Sequence, residues 1–145
     1  MAVLHGPNLN ALGSRQPHIY GFGTLADINA AIRAIAHDLD CDVSIAQHSS
    51  EGALVDAIHR AAAAGRAIVL NAGAYSHYSY AIADALAAVG VPKAEVHLSN
   101  VYARERFRRR SVIAAEVDGC VCGFGSESYL LALRAVVAML DKPNA

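Results

Sequence analysis

The sequence predicts an α/β fold built on a five-stranded parallel sheet with helices on both faces. Short strand-like apolar runs alternate with helix-length segments from end to end of the 145 residues. Right-handed crossovers turn that alternation into a parallel sheet covered on both sides. The third run, Ala67-Ile68-Val69-Leu70, is continuously apolar, as a strand buried on both faces must be.

The first strand is Ala2-Val3-Leu4, and a long loop leaves it from Gly6 to Gly21. That loop holds two prolines and three glycines together with Asn8, Asn10, Arg15 and Tyr20, and chemically rich loops of such length are usually lids or binding loops. Thr24-Leu25-Ala26-Asp27 has the form of a capping box, followed by Ile28, Ala31, Ile32, Ile35 and Leu39 at helical spacing. Asp42 to Gln47 reads as the second strand. Ser49-Ser50-Glu51-Gly52 opens a helix that stops at Gly65. After the third strand, a loop from Asn71 to His77 leads into a helix from Ser79 to Val89. Gly90-Val91-Pro92 ends it before a fourth strand, Ala94 to Leu98. An arginine-rich stretch precedes a fifth strand near Gly119 to Gly123, and a helix from Ser126 to about Leu140 closes the chain. With no repeat or linker, residues 1–145 read as one domain. Its size and element order point to the flavodoxin-like three-layer sandwich, strand order 2-1-3-4-5.

Composition narrows the function classes. Hydrophobic residues make up 54% of the chain and charged residues 17%, a surplus of apolar surface that fits a homo-oligomer. The formal net charge of −1 argues against a polyanion as partner. No apolar run approaches the ~20 residues needed to cross a bilayer, and no basic flank of a signal peptide is present, so a cytoplasmic location is expected. Three cysteines fit reduced thiols, with Cys120 and Cys122 expected to be buried on one strand face.

Open α/β sheets bind ligands beyond the carboxyl ends of their strands. Strand one ends in His5-Gly6-Pro7-Asn8, strand three in Asn71-Ala72-Gly73-Ala74-Tyr75-Ser76-His77, and strand four in His97-Leu98-Ser99-Asn100. All three therefore deliver Asn, His or Ser to one edge of the sheet. Neither a Walker loop nor a Gly-x-Gly-x-x-Gly after strand one occurs, and no His-x-x-x-His or Cys-x-x-Cys pair offers a metal site. Only Lys93 and Lys142 could form a Schiff base, and neither follows the carboxyl end of a strand. Acid–base chemistry by Tyr, His and Arg remains. A guanidinium near a phenol favours the phenolate, which makes the pair Arg15 and Tyr20 a candidate base.

Five motifs, in order, then become specific: Gly-Pro-Asn-Leu-Asn-x-Leu-Gly-x-Arg-x-Pro-x-x-Tyr-Gly from Gly6, Glu-Gly-x-Leu-Val-Asp-x-Ile-His from Glu51, Asn-Ala-Gly-Ala-Tyr-Ser-His from Asn71, Glu-Val-His-Leu-Ser-Asn-Val-x-Ala-Arg-Glu from Glu95, and Gly-Phe-Gly-x-x-x-Tyr-x-Leu-Ala-Leu from Gly123. On these the whole chain resembles type II 3-dehydroquinate dehydratase. The resemblance implies elimination of water from 3-dehydroquinate through an enolate, with no metal, organic cofactor or Schiff base. It implies Tyr20 as base, activated by Arg15 and assisted by Arg108, on a closing loop. Asn8 would orient a water at the enolate oxygen. His97 would be the acid, with Asn71 beside it and Glu95 fixing its imidazole. Leu98 and Ser99 would hold the substrate carboxylate, and His77 and Arg108 the ring hydroxyls. Arg104 would support the loop, and Asp84 would reach a neighbouring subunit's site in a dodecamer built from trimers.

The sequence departs from the family pattern at His5, where Asn is common, at Gln16, where Glu is usual, and at His48-Ser49. The first strand also looks short. These departures keep open the same elimination on an amino analogue of dehydroquinate. The run Arg104 to Arg110, with Phe107 among its arginines, raises nucleic-acid binding as a rival, against which stands the near-zero net charge. A Ser–His hydrolase using Ser99 or Ser76 lacks the Gly-x-Ser-x-Gly elbow.

Overall fold

A computed structural model describes residues 1–21 and 23–141. Its five strands are β1 (Ala2–His5), β2 (Ser44–Gln47), β3 (Ile68–Asn71), β4 (Lys93–His97) and β5 (Gly119–Cys122). All pairings are parallel, in the order β2-β1-β3-β4-β5. This is the flavodoxin-like arrangement expected. The helices are α1 (Pro17–Tyr20), α2 (Leu25–Asp38), α3 (Glu51–Ala63), α4 (Tyr80–Ala87) and α5 (Glu127–Leu140), with short 3-10 turns between elements. Lys142 lies outside the described residues.

Alternation along the strands divides the core in two. Val3, Val69 and Val96 point to one face and pack with Ile28 and Ile32 of α2 and Leu133 and Val136 of α5. Leu4, Ile68 and Leu70 point to the other and pack with Leu54 and Ile58 of α3 and Ile82 and Leu86 of α4. The helix starts follow from local chemistry. Thr24 and Asp27 form a reciprocal capping box: Thr24 Oγ1 accepts from Asp27 N at 3.2 Å, and Asp27 Oδ2 accepts from Thr24 N at 2.9 Å. Ser50 Oγ accepts from Ala53 N, and Ser79 Oγ from Ile82 N. β1 is four residues long, as are the β2 and β3 stretches it pairs with, so its brevity matches its neighbours.

The cysteine expectation needs correcting. Cys120 is exposed and Cys122 only half-buried. β5 is an edge strand, and these alternate residues point away from α5, on the face where Cys120 pairs with Glu95 and Cys122 with His97. Partial burial, with Glu95 and Cys122 nearby, pushes the Cys120 thiol up to about 12, so it is not an activated nucleophile. His37 and His59 sit exposed on α2 and α3, and Tyr78 and Tyr80 are 60% and 65% exposed.

His5, by contrast, is wholly buried at the end of β1. Burial lowers its pKa from 6.5 to about 4, against an opposing hydrogen bond to Asn29. The folded protein therefore holds the ring neutral while the unfolded chain takes up a proton below about 6.5, so stability falls as pH drops through that window. At 1.36 kcal/mol per unit the loss reaches about 3 kcal/mol by pH 4. Urea unfolding at pH 7 and pH 4.5 is expected to show a smaller acid loss in His5→Asn than in the parent. Equal losses would remove His5 as the cause.

Candidate active site

The strand ends build the site. Gln47, His5 and Asn71 stand in one row at the carboxyl edge of β2, β1 and β3, where the backbone turns away from the sheet. Gly6 N donates to Asn71 O at 2.7 Å, which brings the loop after β1 against the start of the loop after β3. A Cβ at Gly6 would lie 2.6 Å from the carbonyl carbon and oxygen of Ala72. Only glycine permits this approach of the two loops. Gln47 Nε2 donates to Gly6 O at 3.1 Å and steadies the same turn. Asn8 then takes a left-handed backbone, φ 67°, a conformation Asn tolerates better than most side chains.

A cleft partly open to solvent lies over this edge. Asn8, Arg15 and Tyr20 line it from the first loop, Asn71 from the end of β3 and His77 from the segment that follows. His97, Leu98, Ser99, Arg104 and Arg108 line it from β4 and the segment that follows. Among its described lining residues there is no Asp or Glu. Three guanidinium groups, two of them beside the Glu105 carboxylate, give it a charge that suits a small anion. Glu95 lies beneath His97, and Asp84 is exposed on α4 and does not line the cleft of its own chain.

Tyr20 ends α1, the single helical turn inside the first loop. That turn is bounded by Gln16 at φ 41° and Gly21 at φ 76°. Arg104 Nη1 donates to the Tyr20 hydroxyl at 3.0 Å and to Ser99 Oγ at 3.1 Å. The Arg15 and Arg104 guanidinium carbons stand 5.6 and 5.4 Å from the centre of the Tyr20 ring. The second arginine at the phenol is thus Arg104, where Arg108 was expected. Arg108 lines the cleft but makes no hydrogen bond to the phenol: its Nε lies 3.1 Å from Glu105 Oε2 at an angle that leaves that N–H without a hydrogen-bond acceptor, and its guanidinium covers the Phe107 ring. The cause is the 3-10 turn Arg106–Arg109, which carries Arg108 one turn past Arg104.

Glu95 and His97 are two apart on β4 and share a face. His97 Nε2 donates to Glu95 Oε1 at 2.6 Å, leaving Nδ1 as the ring nitrogen free to act. The Glu95 carboxylate is fully buried, and Ser111 Oγ lies 2.8 and 3.0 Å from its two oxygens. Ser111 was invisible to sequence reasoning, because it sits in irregular chain with no periodicity to give its direction. The His77 ring stacks near His97, centroids 6.1 Å apart. His77 Nδ1 donates to Arg110 O at 2.9 Å, so Nε2 of the neutral ring is an acceptor. Burial lowers the His77 pKa below 6.5, and the charges of His97 and Arg108 add to that while the Arg110 carbonyl opposes it.

The chain as a whole has close relatives. The family model described as dehydroquinase class II matches residues 1–137. The chain belongs to the class II dehydroquinase family. A 3-dehydroquinate dehydratase from Pelotomaculum thermopropionicum is 53% identical over 137 residues, covering 94% of this chain and 95% of the relative. One from Ruegeria pomeroyi is 53% identical over 143 residues, covering 99% and 96%. The crystal structure of type II dehydroquinase from Propionibacterium acnes superposes with a TM-score of 0.92 at 43% identity, covering 95% of each chain. As a class II dehydroquinase the chain is an enzyme, a hydro-lyase. Its departures fall outside the cleft: Gln16 caps α1 from an exposed position, and His48 borders a groove between β2 and α3. In the arginine run, Arg104 and Arg108 point into the cleft, while Arg106, Arg109 and Arg110 are exposed. No helix among the described residues is long and apolar enough to cross a membrane.

Proposed function

We propose that this class II dehydroquinase dehydrates 3-dehydroquinate to 3-dehydroshikimate by an enolate route with a Tyr20 base and a His97 acid. The observation that carries this reading is one electropositive cleft holding a phenol bonded to Arg104 and an imidazole backed by Glu95. A ketone acidifies the adjacent C–H. Tyr20 takes that proton as phenolate, a charge that Arg104 and Arg15 stabilise. The enolate then expels the hydroxyl beta to the carbonyl, and His97 Nδ1–H protonates it so that it departs as water. Asn8 orients a water at the enolate oxygen. Leu98 and Ser99 hold the substrate carboxylate through backbone N–H groups. His77 Nε2 and Arg108 meet the ring hydroxyls, and Asn71 binds beside His97.

The turn bearing Tyr20 would close over the substrate, exclude water and complete the site. Left-handed Gln16 and Gly21 at its two ends are natural places for the backbone to pivot. Asp84, exposed on α4, would complete the cleft of a neighbouring subunit in a trimer-based dodecamer, and the working location would be the cytoplasm. Every step is assigned to groups of the protein and to water, with neither metal nor cofactor taking part.

Adding 3-dehydroquinate and following the absorbance of the conjugated enone product tests this reading. No product from the parent protein would end it. Borohydride with substrate is expected to cause no loss of activity and no labelled lysine. Lys93 begins β4, at the edge of the sheet opposite the cleft, and its Nζ is bound to Val89 O at 2.8 Å. Substrate-dependent inactivation would replace the enolate route with an imine.

A further inference from the structure

Ser111 takes no part in the steps above, yet its hydroxyl serves the buried carboxylate behind His97. Glu95 is fully buried. Among the described residues its oxygens have two donors: His97 Nε2, 2.6 Å from Oε1, and Ser111 Oγ, 2.8 Å from Oε1 and 3.0 Å from Oε2. The direction of the Ser111 bond follows from the other contacts of its oxygen. Ser111 Oγ accepts from Ile113 N at 3.3 Å and from Ala114 N at 3.1 Å. Both lone pairs are thereby taken, and the one hydroxyl proton goes to the carboxylate. Ser111 is itself held on both sides. Arg110 O accepts from His77 Nδ1 at 2.9 Å, and Val112 N donates to Ser76 O at 2.8 Å. Residues 110–112 are thus tied to the segment after β3, while Glu95 and His97 stand on β4. One short stretch of irregular chain braces both imidazoles of the cleft.

We propose that Ser111 is a positioning residue that fixes the plane of the Glu95 carboxylate, and through it the His97 ring. The last torsion of a glutamate side chain is broad and does not by itself hold the carboxylate in one plane. A hydroxyl within reach of both oxygens supplies that restraint and keeps Oε1 on the line of the His97 Nε2–H. Without it the carboxylate can turn, and the imidazole loses the contact that sets its tautomer and directs Nδ1. The consequence for turnover rests on the dehydratase reading, and the orientation of the Glu95–His97 pair does not.

Ser111→Ala removes one oxygen from a half-buried side chain. It is expected to lower kcat for 3-dehydroquinate by about tenfold or more, the scale of a lost hydrogen bond to a charged group, with KM within about twofold of the parent. In a His97→Ala background the same change is expected to move kcat by less than about twofold, because Ser111 acts only through the imidazole. Ser111→Thr keeps the hydroxyl and adds a methyl beside a cavity that Ser111 lines. Its kcat is expected to stay within about threefold of the parent. Ser111→Cys, with a weak donor of similar size, is expected to lose less than Ser111→Ala and gives the answer if that variant does not fold. An unchanged kcat in the Ala and Cys variants, a Thr variant as slow as the Ala variant, or an equal loss in the His97→Ala background would overturn the proposal. A second measurement needs no substrate: the His97 Nε2 proton is expected to exchange slowly in the parent and fast in Ser111→Ala by nuclear magnetic resonance. A parent that holds this proton, loses it in Ser111→Ala and forms no product would refute the dehydratase reading and leave the positioning role standing. Exchange as slow in Ser111→Ala as in the parent would refute that role.

Discussion

Tyr20→Phe is expected to reduce kcat for dehydration by about 10³-fold, within the 10²–10⁴ range of a lost general base, and to change KM little. The reason is local. The Tyr20 ring packs, partly buried, against the core near α2, and Phe keeps that packing. What disappears is the oxygen that Arg104 Nη1 holds at 3.0 Å, and with it the only proton acceptor the reading assigns to the C–H step. Saturating kinetics by enone absorbance, with thermal unfolding beside it, provide the check. A kcat within tenfold of the parent at unchanged stability would mean another group takes the proton.

His97→Ala is expected to act twice, on rate and on stability. Loss of the acid lowers kcat by about 10²–10⁴-fold. It also strands the Glu95 carboxylate, fully buried and bonded at 2.6 Å to His97 in the parent. Removing one member of a buried pair costs about 3–5 kcal/mol. Glu95→Gln added to His97→Ala is expected to recover part of that stability, because Ser111 can still bond a neutral amide, and none of the rate. If the double variant regained activity, His97 would be a structural partner of Glu95. If the single variant lost rate with no loss of stability, Glu95 would have another partner than the imidazole.

The parts of this site that were legible lie on regular elements. His97 and Glu95 share a strand face because the side-chain period of a strand is two, so their pairing follows from spacing once β4 is assigned. Asn71 ends a strand of the parallel sheet and Asn8 and Ser99 lie just past theirs, and the strand direction alone sends them to one edge. Arg15 and Tyr20 were identified as partners within one loop, and they do face each other. The illegible parts lie on irregular chain. Arg104 and Arg108 carry equally long side chains in neighbouring turns, and only the path of the 3-10 turn Arg106–Arg109 decides which one reaches Tyr20, 84 residues away from Arg104. Cys120 was expected inside because its run is apolar. An edge strand with one uncovered face left it exposed.

The amino-acid sequence by itself determined the five-stranded parallel order, the strand ends that meet at one edge, the family and the side-chain types available for acid–base chemistry. Those properties depend on short-range periodicity and on motifs whose residues are near neighbours. Only the tertiary structure decided which guanidinium meets the phenol, that Ser111 completes the surroundings of Glu95, and that His5 meets Tyr129 across 124 residues. Such contacts are set by how loops fold back and how helices dock on the sheet. No local rule encodes them, because hydrogen-bond partners distant in sequence meet only after the core has packed.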